Sequence, residues 1–427
     1  KRSWNVWGLK VFQDYPELKL RPILSMAGDP EEFRTEGGIP CGAVTGLTAR
    51  MQKWIVRLFY CVPAALARLK DPQAKYYAVL RASMPRDVAM AIAANPSTMI
   101  SLARAGDAHK ESLIRDIRDG TLTGGFDWPA EVRQAMKRKL NRDKAAAARL
   151  EKLASRTGQL FPKDYWGEKK WLMGNWMGGS MGAYLRHYPK YFGDAKVRDV
   201  GLIASEGRMT IPFSDGTPSG VLDITSHYFE FIPEAEAESA SPTVLGAHEL
   251  QEGGRYFILL TTAYGLYRYH IHDLVRCTGF HHKTPLVEFL SKGSLFSNLT
   301  GEKLSEYHVT QAVADVLAGL ETTLGTYSVA PCWPEEEGRP PWYGLFVEGE
   351  PPAALAARLD ERLRQVNIEY DAKRESQRLG PVRLEPVPAG FWAKWDAERL
   401  KRNGGTLEQY KHPCLIGDLE FHKRARG

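Results

Sequence analysis

Residues 261–273 read Thr-Thr-Ala-Tyr-Gly-Leu-Tyr-Arg-Tyr-His-Ile-His-Asp. A β-branched run enters a glycine turn and leaves through an aromatic, basic segment that ends in an acid. An Asp so placed can accept both hydroxyls of a ribose, while Arg and Tyr suit phosphates or an aromatic base. The same residues read equally well as a plain hairpin held by an Arg–Asp pair. The flanking sequence has to decide between the two.

On either side, Trp171–Trp176, Val221–Thr225, Tyr228–Ile232, Arg255–Thr261 and Leu286–Leu290 have strand length and composition, punctuated by Gly, Pro and Asp. The middle of the chain is therefore β-rich. Before it, the chain reads as mostly helical. Apolar residues at three- and four-residue spacings predict a packed helix over 49–69. Asn95-Pro96-Ser97-Thr98 predicts a helix start, and 130–156 a basic helix with a solvated face. After residue 300 the pattern predicts helix 305–318, strands 326–330 and 342–348, helix 352–376, strand 381–386 and helix 391–401. That alternation suits a compact α+β module.

The 427 residues admit two or three domains and a core that needs no disulfide or metal staple. With 57 Lys+Arg against 51 Asp+Glu, the net charge of +6 falls short of a nucleic-acid footprint. The cysteines (41, 61, 277, 332 and 414) are scattered and form no C-x-x-C pair. That argues for a reducing compartment, here taken as cytoplasmic, and against a zinc ribbon. No apolar stretch approaches a membrane span, and the N-terminus is not a signal peptide. Neither G-x-x-x-x-G-K-[ST] nor G-x-G-x-x-G occurs, so P-loop and Rossmann readings fail. His270, His272, His281 and His282 raise a transition-metal question that no ligand motif supports.

Three further constellations carry chemistry. Trp176-Met177-Gly178-Gly179-Ser180-Met181-Gly182 matches the G-x-S-x-G nucleophile elbow, which would make Ser180 a hydrolase nucleophile served by Asp223 or Asp273 and His281. A tight turn lining a substrate reads the same glycines without a nucleophile. Ala204-Ser205-Glu206-Gly207 follows the apolar run Val200–Ile203; its hydroxyl suits a phosphate and its carboxylate suits Mg²⁺. Gly301-Glu302-Lys303-Leu304 opens the second module, and Gln409-Tyr410-Lys411-His412-Pro413 lies near its end. A lysine in a mobile module can swing charge over a developing leaving group.

Taken in order, these segments resemble the adenylate-forming acyl-acid amido synthetases of the auxin-responsive (Gretchen Hagen) family. The resemblance also includes Tyr228-Phe229-Glu230-Phe231-Ile232-Pro233 and Gly279-Phe280-His281-His282-Lys283-Thr284-Pro285. It runs from about residue 40 to 415 and is nearer the bacterial members. It implies an α/β fold: an adenylate-forming body over 1–292, with β-sheets and flanking helices, and a small α+β lid over 293–427. It also implies a ligase that joins a carboxylic acid to ATP, releasing pyrophosphate, and passes the acyl group to an amine, as a rule an amino acid. ATP and Mg²⁺ are the implied cofactors; neither nucleic acid nor membrane is an implied partner.

Residue by residue, the resemblance makes Ser205 a phosphate contact and Glu206 the Mg²⁺ carboxylate. Asp273 becomes the ribose acceptor, with Tyr269 beside it. Gly178, Gly179 and Ser180 line the acyl pocket, and Lys411 contacts phosphate or the leaving group. Lys292 stands where the family has a hinge arginine, Leu202 where it has an adenine-stacking tyrosine. His270 and His272 replace an Arg and a Gly. The family's phosphate-gripping loop falls upstream of residue 1, so the chain is expected to be N-terminally incomplete. A degenerate member acting as a binding or scaffolding module is the alternative, and the Ser180 hydrolase the third reading.

Overall fold

Four short runs, the apolar Ile23–Met26, Met90–Ala93 and Leu172–Gly174 and the mixed Lys196–Arg198, pair side by side as a parallel sheet in chain order. Parallel neighbours require long crossovers, and helices supply them. The computed structural model describes residues 2–236, 239, 241–292, 296–322, 324–336, 338–403 and 412–426. The chain divides into two units, Lys1–Ile271 with Val275–Phe289, and His272–Leu274 with Leu290–Gly427.

In the first unit, the helix Arg2–Asp14 buries Trp7 and Val11 against the parallel sheet. Helix Pro96–Ala108 starts where Asn95 accepts from the Ser97 N–H at 2.8 Å, with Pro96 in the first turn. The β-rich middle forms one seven-stranded sheet. Its order is Leu245–Gly246, Tyr228–Pro233, Arg255–Thr261, Tyr269–His281, Thr284–Lys292, Gly220–Leu222 and Thr210–Ile211.

Two helical expectations in the first unit break into pieces. The span 49–69 takes in the end of helix Val44–Arg50, helix Trp54–Arg57 and a 3₁₀ turn Ala64–Arg68. Pro63 cannot continue a helical hydrogen-bond ladder, and the periodic residues Met51, Trp54 and Leu58 stand exposed. The basic stretch 130–156 is two helices, Ala130–Met136 and Lys144–Thr157. The second starts where Asp143 accepts from the Ala146 N–H at 2.8 Å. Among the described residues, no helix is long and apolar enough to cross a membrane.

The second unit is built on a three-stranded sheet, Tyr327–Cys332, Trp342–Glu348 and Arg383–Val387. Its first pair is antiparallel and its second parallel. The central strand is apolar almost throughout because both its faces are covered. Tyr343 and Leu345 pack with Val309, Val313, Leu355 and Leu359 on one side. Trp342 and Phe346 pack with Trp392 and Phe421 on the other. The helix expected over 352–376 breaks at Asn367 into Leu355–Val366 and Ile368–Glu375. Asn367 accepts from the Tyr370 N–H at 2.9 Å, and its amide donates to the Glu302 carbonyl.

Asp360 ties these pieces together. Its buried carboxylate accepts from the Tyr370 hydroxyl at 2.6 Å, the Val382 N–H at 3.1 Å and the Nε and Nη2 of the Arg374 guanidinium at 3.0 Å. Removing one partner of a buried ion pair strands the other. Asp360→Ala is therefore expected to destabilise the second unit by about 3 kcal/mol, read as a drop in its urea-unfolding midpoint.

Candidate active site

The parallel strands of the first unit all deliver loops to the same edge, the end where α/β sheets gather functional residues. Met90–Ala93 leads to Asn95; Leu172–Gly174 leads to Asn175, Trp176 and the Gly178–Gly182 segment; Lys196–Arg198 leads to Asp199 and Gly201. Asn175 bridges two of these exits, donating its amide to the Ala93 carbonyl at 2.6 Å and its backbone N–H to the Arg198 carbonyl.

Asp199 ties the loops to one another. One carboxylate oxygen accepts from the Met177 N–H at 2.6 Å and the other from the Gly201 N–H at 2.6 Å. Its own carbonyl accepts from the Trp7 indole at 2.8 Å. Burial pushes the Asp199 carboxyl up to about 7 against the pull of the two N–H donors and Arg208. Arg208 is the neighbouring cation, pushed down to about 10 by its own burial despite Asp223 and Asp199. Its guanidinium donates to the carbonyls of Val200 (2.7 Å) and Thr210 (3.0 Å) and lies 4.4 Å from the Trp4 ring centroid.

Between these anchors stands the Ser205–Glu206 turn. The Ala204 and Gly207 backbones exchange two hydrogen bonds, Ile203 bridges Arg208, and Met209 donates back to Leu202. Ser205 and Glu206 are thus the two-residue tip of a tight hairpin. Neither side chain makes a hydrogen bond or ion pair with any described residue. On its flank is the His227 ring. A β-carbon on Gly207 would fall 2.5 Å from His227 Nε2, so any larger residue there would displace the imidazole edge. Burial lowers His227 below the usual histidine range, against the raising effect of Asp223. Burial alone would raise Asp223, but hydrogen bonds from Ser226 (2.6 Å), Ser3 and Thr225 (2.8 Å) outweigh it and hold the carboxyl low.

The glycine segment starts close to the seven-stranded sheet: a β-carbon on Gly178 would meet the Phe289 carbonyl at 2.9 Å. Gly179 has φ +57°, and Gly179–Met181 forms a short 3₁₀ turn. The side chain of Ser180 lies outside the described structure. A hydrolase would need an acid on His281, yet the Asp223 carboxylate is occupied by Ser3, Thr225 and Ser226, and His281 packs edge-on to Phe213 at 5.3 Å. A Ser–His–Asp chain does exist in the second unit. Ser328 Oγ lies 2.8 Å from His412 Nε2, and His412 Nδ1 lies 2.8 Å from Asp396. There Ser328 is wholly buried and donates to the Pro413 carbonyl at 2.7 Å, which makes the trio a strap and not a nucleophile.

The stretch 261–273 turns at Gly265 (φ +100°), where the Thr262 N–H meets the Leu266 carbonyl. Arg268 pairs bidentately with Glu230 at 2.6–3.1 Å, and this is the partner the hairpin reading had assigned to Asp273. Tyr269 opens the next strand at 43% exposure, and Asp273, four residues on, is buried. Asp273 belongs to the piece His272–Leu274 that groups with the second unit. His272 carries φ +60°, a left-handed backbone that a glycine adopts without strain. Lys292 ends the strand Thr284–Lys292; its side chain, and the whole of Lys411, lie outside the described residues. Glu302, in the second glycine–acid motif, is saturated: it takes the N–H groups of Leu299 and Thr300, the Thr300 hydroxyl and the Tyr343 phenol.

The chain belongs to the GH3 family. Residues 1–197 match the GH3 family N-terminal domain, 220–292 the central domain and 307–420 the C-terminal domain. It is 25% identical over 435 residues to jasmonoyl-L-amino acid synthetase JAR4 of Nicotiana attenuata, covering 95% of this chain and 73% of that protein. It is 24% identical over 432 residues to indole-3-acetic acid-amido synthetase GH3.10 of Arabidopsis thaliana, covering 93% and 72%. Among solved structures, the GH3.15 acyl acid amido synthetase shares the fold with a TM-score of 0.61 at 19% identity, over 98% of this chain and 77% of that one.

Sequence reasoning found the glycine and Ser-Glu loops but not Asp199, Arg208 or His227, which join them. The one available signal was an acid followed by Val-Gly at the end of a strand. Two outcomes follow. The folded first unit keeps the Asp199 proton to about pH 7, while the unfolded chain releases it near 4. The folded state therefore binds the extra proton in that window, and its stability falls as pH rises through it. Comparing pH 5 with pH 8, wild type is expected to lose about 2 kcal/mol relative to Asp199→Asn, measured by chemical denaturation of both proteins. His272→Gly is expected to raise the melting temperature by relieving about 1 kcal/mol of backbone strain, read by calorimetry.

Proposed function

We propose that this protein is an ATP-dependent acyl-acid amido synthetase. A carboxylate attacks the α-phosphorus of ATP, an acyl-adenylate forms and pyrophosphate leaves. An amine, taken to be that of an amino acid, then displaces AMP to give an amide. Adenylation is needed because a carboxylate resists nucleophiles until one of its oxygens belongs to a good leaving group.

The observation that carries this reading is the Ser205–Glu206 tip. It is a hydroxyl and a carboxylate with no protein partner among the described residues, presented on a rigid two-residue turn and roped through Asp199 to the Gly178 segment. Ser205 donates to a phosphate oxygen. The donor set fits Mg²⁺: one hard carboxylate oxygen suffices for an ion that keeps most of its waters and takes the rest of its shell from phosphates. Glu206 would hold it, and when bound it would offset charge developing on the phosphates. Gly178, Gly179 and Ser180 line the acyl end, with backbone able to approach closely where side chains are absent. Asp273 accepts from the ribose hydroxyls and Tyr269 flanks the nucleotide. Lys292 and Lys411 supply positive charge to phosphate and leaving group.

Pyrophosphate exchange measured across a panel of small carboxylic acids tests the reading. Exchange dependent on one class of acid is expected, with Glu206→Gln slowing it by about 100-fold or more while the melting temperature stays put. No exchange with any acid, together with no ATP binding by calorimetry, would leave the chain a binding module.

A further inference from the structure

The amide-forming half of this reaction has a proton problem that Glu206 and Ser205 do not solve. An amine at neutral pH arrives as ammonium, with no lone pair to offer. The residue beside the Ser205–Glu206 tip whose chemistry answers this is His227. Neither of its ring nitrogens makes a hydrogen bond with a described residue, and of the two only Nδ1 is sealed from solvent. Buried polar atoms are seldom left without partners in a folded protein, so an imidazole held this way needs an explanation. The Nε2 edge is set against Gly207, the residue that follows Glu206, so closely that a β-carbon there would displace the ring.

We propose that His227 is the general base that takes the proton from the incoming amine; this rests on the amido synthetase reading above. With its own proton on Nδ1, Nε2 is an acceptor. It removes one proton from the ammonium, and the freed lone pair forms the C–N bond to the acyl carbonyl carbon. The bond from that carbon to the phosphate oxygen breaks, and AMP departs with the electron pair. The second proton leaves the new amide nitrogen for bulk water, and the imidazolium returns to neutrality by releasing its proton to solvent. The charged groups around the ring suit this cycle. Asp223, four residues before His227 and held ionised by three hydroxyls, stabilises the imidazolium once formed. Phe229 packs edge-on at 6.0 Å and adds no charge, and Glu206 and Arg208 flank Gly207 on the facing hairpin. A neutral, partly buried imidazole is also the state that burial already favours.

The two half-reactions can be followed separately, pyrophosphate exchange for adenylation and amide release for transfer. In His227→Asn and His227→Ala, amide release to an amino acid is expected to fall at least about 100-fold further than pyrophosphate exchange does. The gap should close when hydroxylamine, already neutral at pH 7, replaces the amino acid, and exogenous imidazole should partly rescue His227→Ala. In wild type, amide release should lose rate on the acid side of its pH profile, a limb the variants lack. Equal losses in both half-reactions, or equal losses with hydroxylamine and amino acid, would reduce His227 to a packing residue and overturn the proposal. Undiminished amide release in both variants would overturn it too. If wild type itself shows no exchange with any acid, the synthetase reading fails first and takes this one with it.

Discussion

Everything at the working edge of the first unit depends on one buried carboxylate. Asp199 spends both oxygens on backbone N–H groups from different loops, so the glycine segment and the stretch leading into the Ser205–Glu206 hairpin are tied to one residue. When Asp199 is ionised, two such bonds are stronger and shorter than their neutral counterparts. They also set a limit, because a carboxylate this deep prefers its proton. Arg208 lies close enough to favour ionisation yet uses its donors on carbonyls of the same hairpin. The arrangement trades stability for geometry, as functional sites commonly do.

The helix Arg2–Asp14 belongs to this machinery as a brace. Its Trp7 indole reaches the Asp199 carbonyl, its Ser3 hydroxyl reaches Asp223, and Asp14 meets Arg198. Asp223 in turn sits beside His227. A change on this outer helix is therefore felt at the loops through hydrogen bonds, with no contact of its own to a substrate.

Those links explain what could and could not be read in the sequence. The helix start at Asn95 and the strands of the middle region were legible because caps and strand periodicity are local. The expected helix over 49–69 breaks for a related reason: three- and four-residue spacing reports an amphipathic face but not what covers it, and Pro63 interrupts the helical ladder. The site separates along the same line. Ser205, Glu206 and the glycines stood out as short motifs, whereas the Ser3–Asp223 and Trp7–Asp199 bonds join residues some two hundred positions apart. Two glycine–acid motifs looked alike in sequence. Glu302 is consumed by three donors of its own turn and by the Tyr343 phenol, and Glu206 by none among the described residues. Only burial and donor count tell such residues apart.

The hairpin that carries Ser205 and Glu206 has a consequence for how the site can change over time. Its tip is two residues long and closed on both sides by backbone bonds, and alternate positions along such a ribbon face opposite ways. An insertion or deletion of a single codon there would exchange which side chain points where and pull Gly207 from beneath the imidazole. Substitutions can be sampled one at a time at this tip, but changes of length cannot. The loop is held to a fixed count of residues as firmly as to their identity.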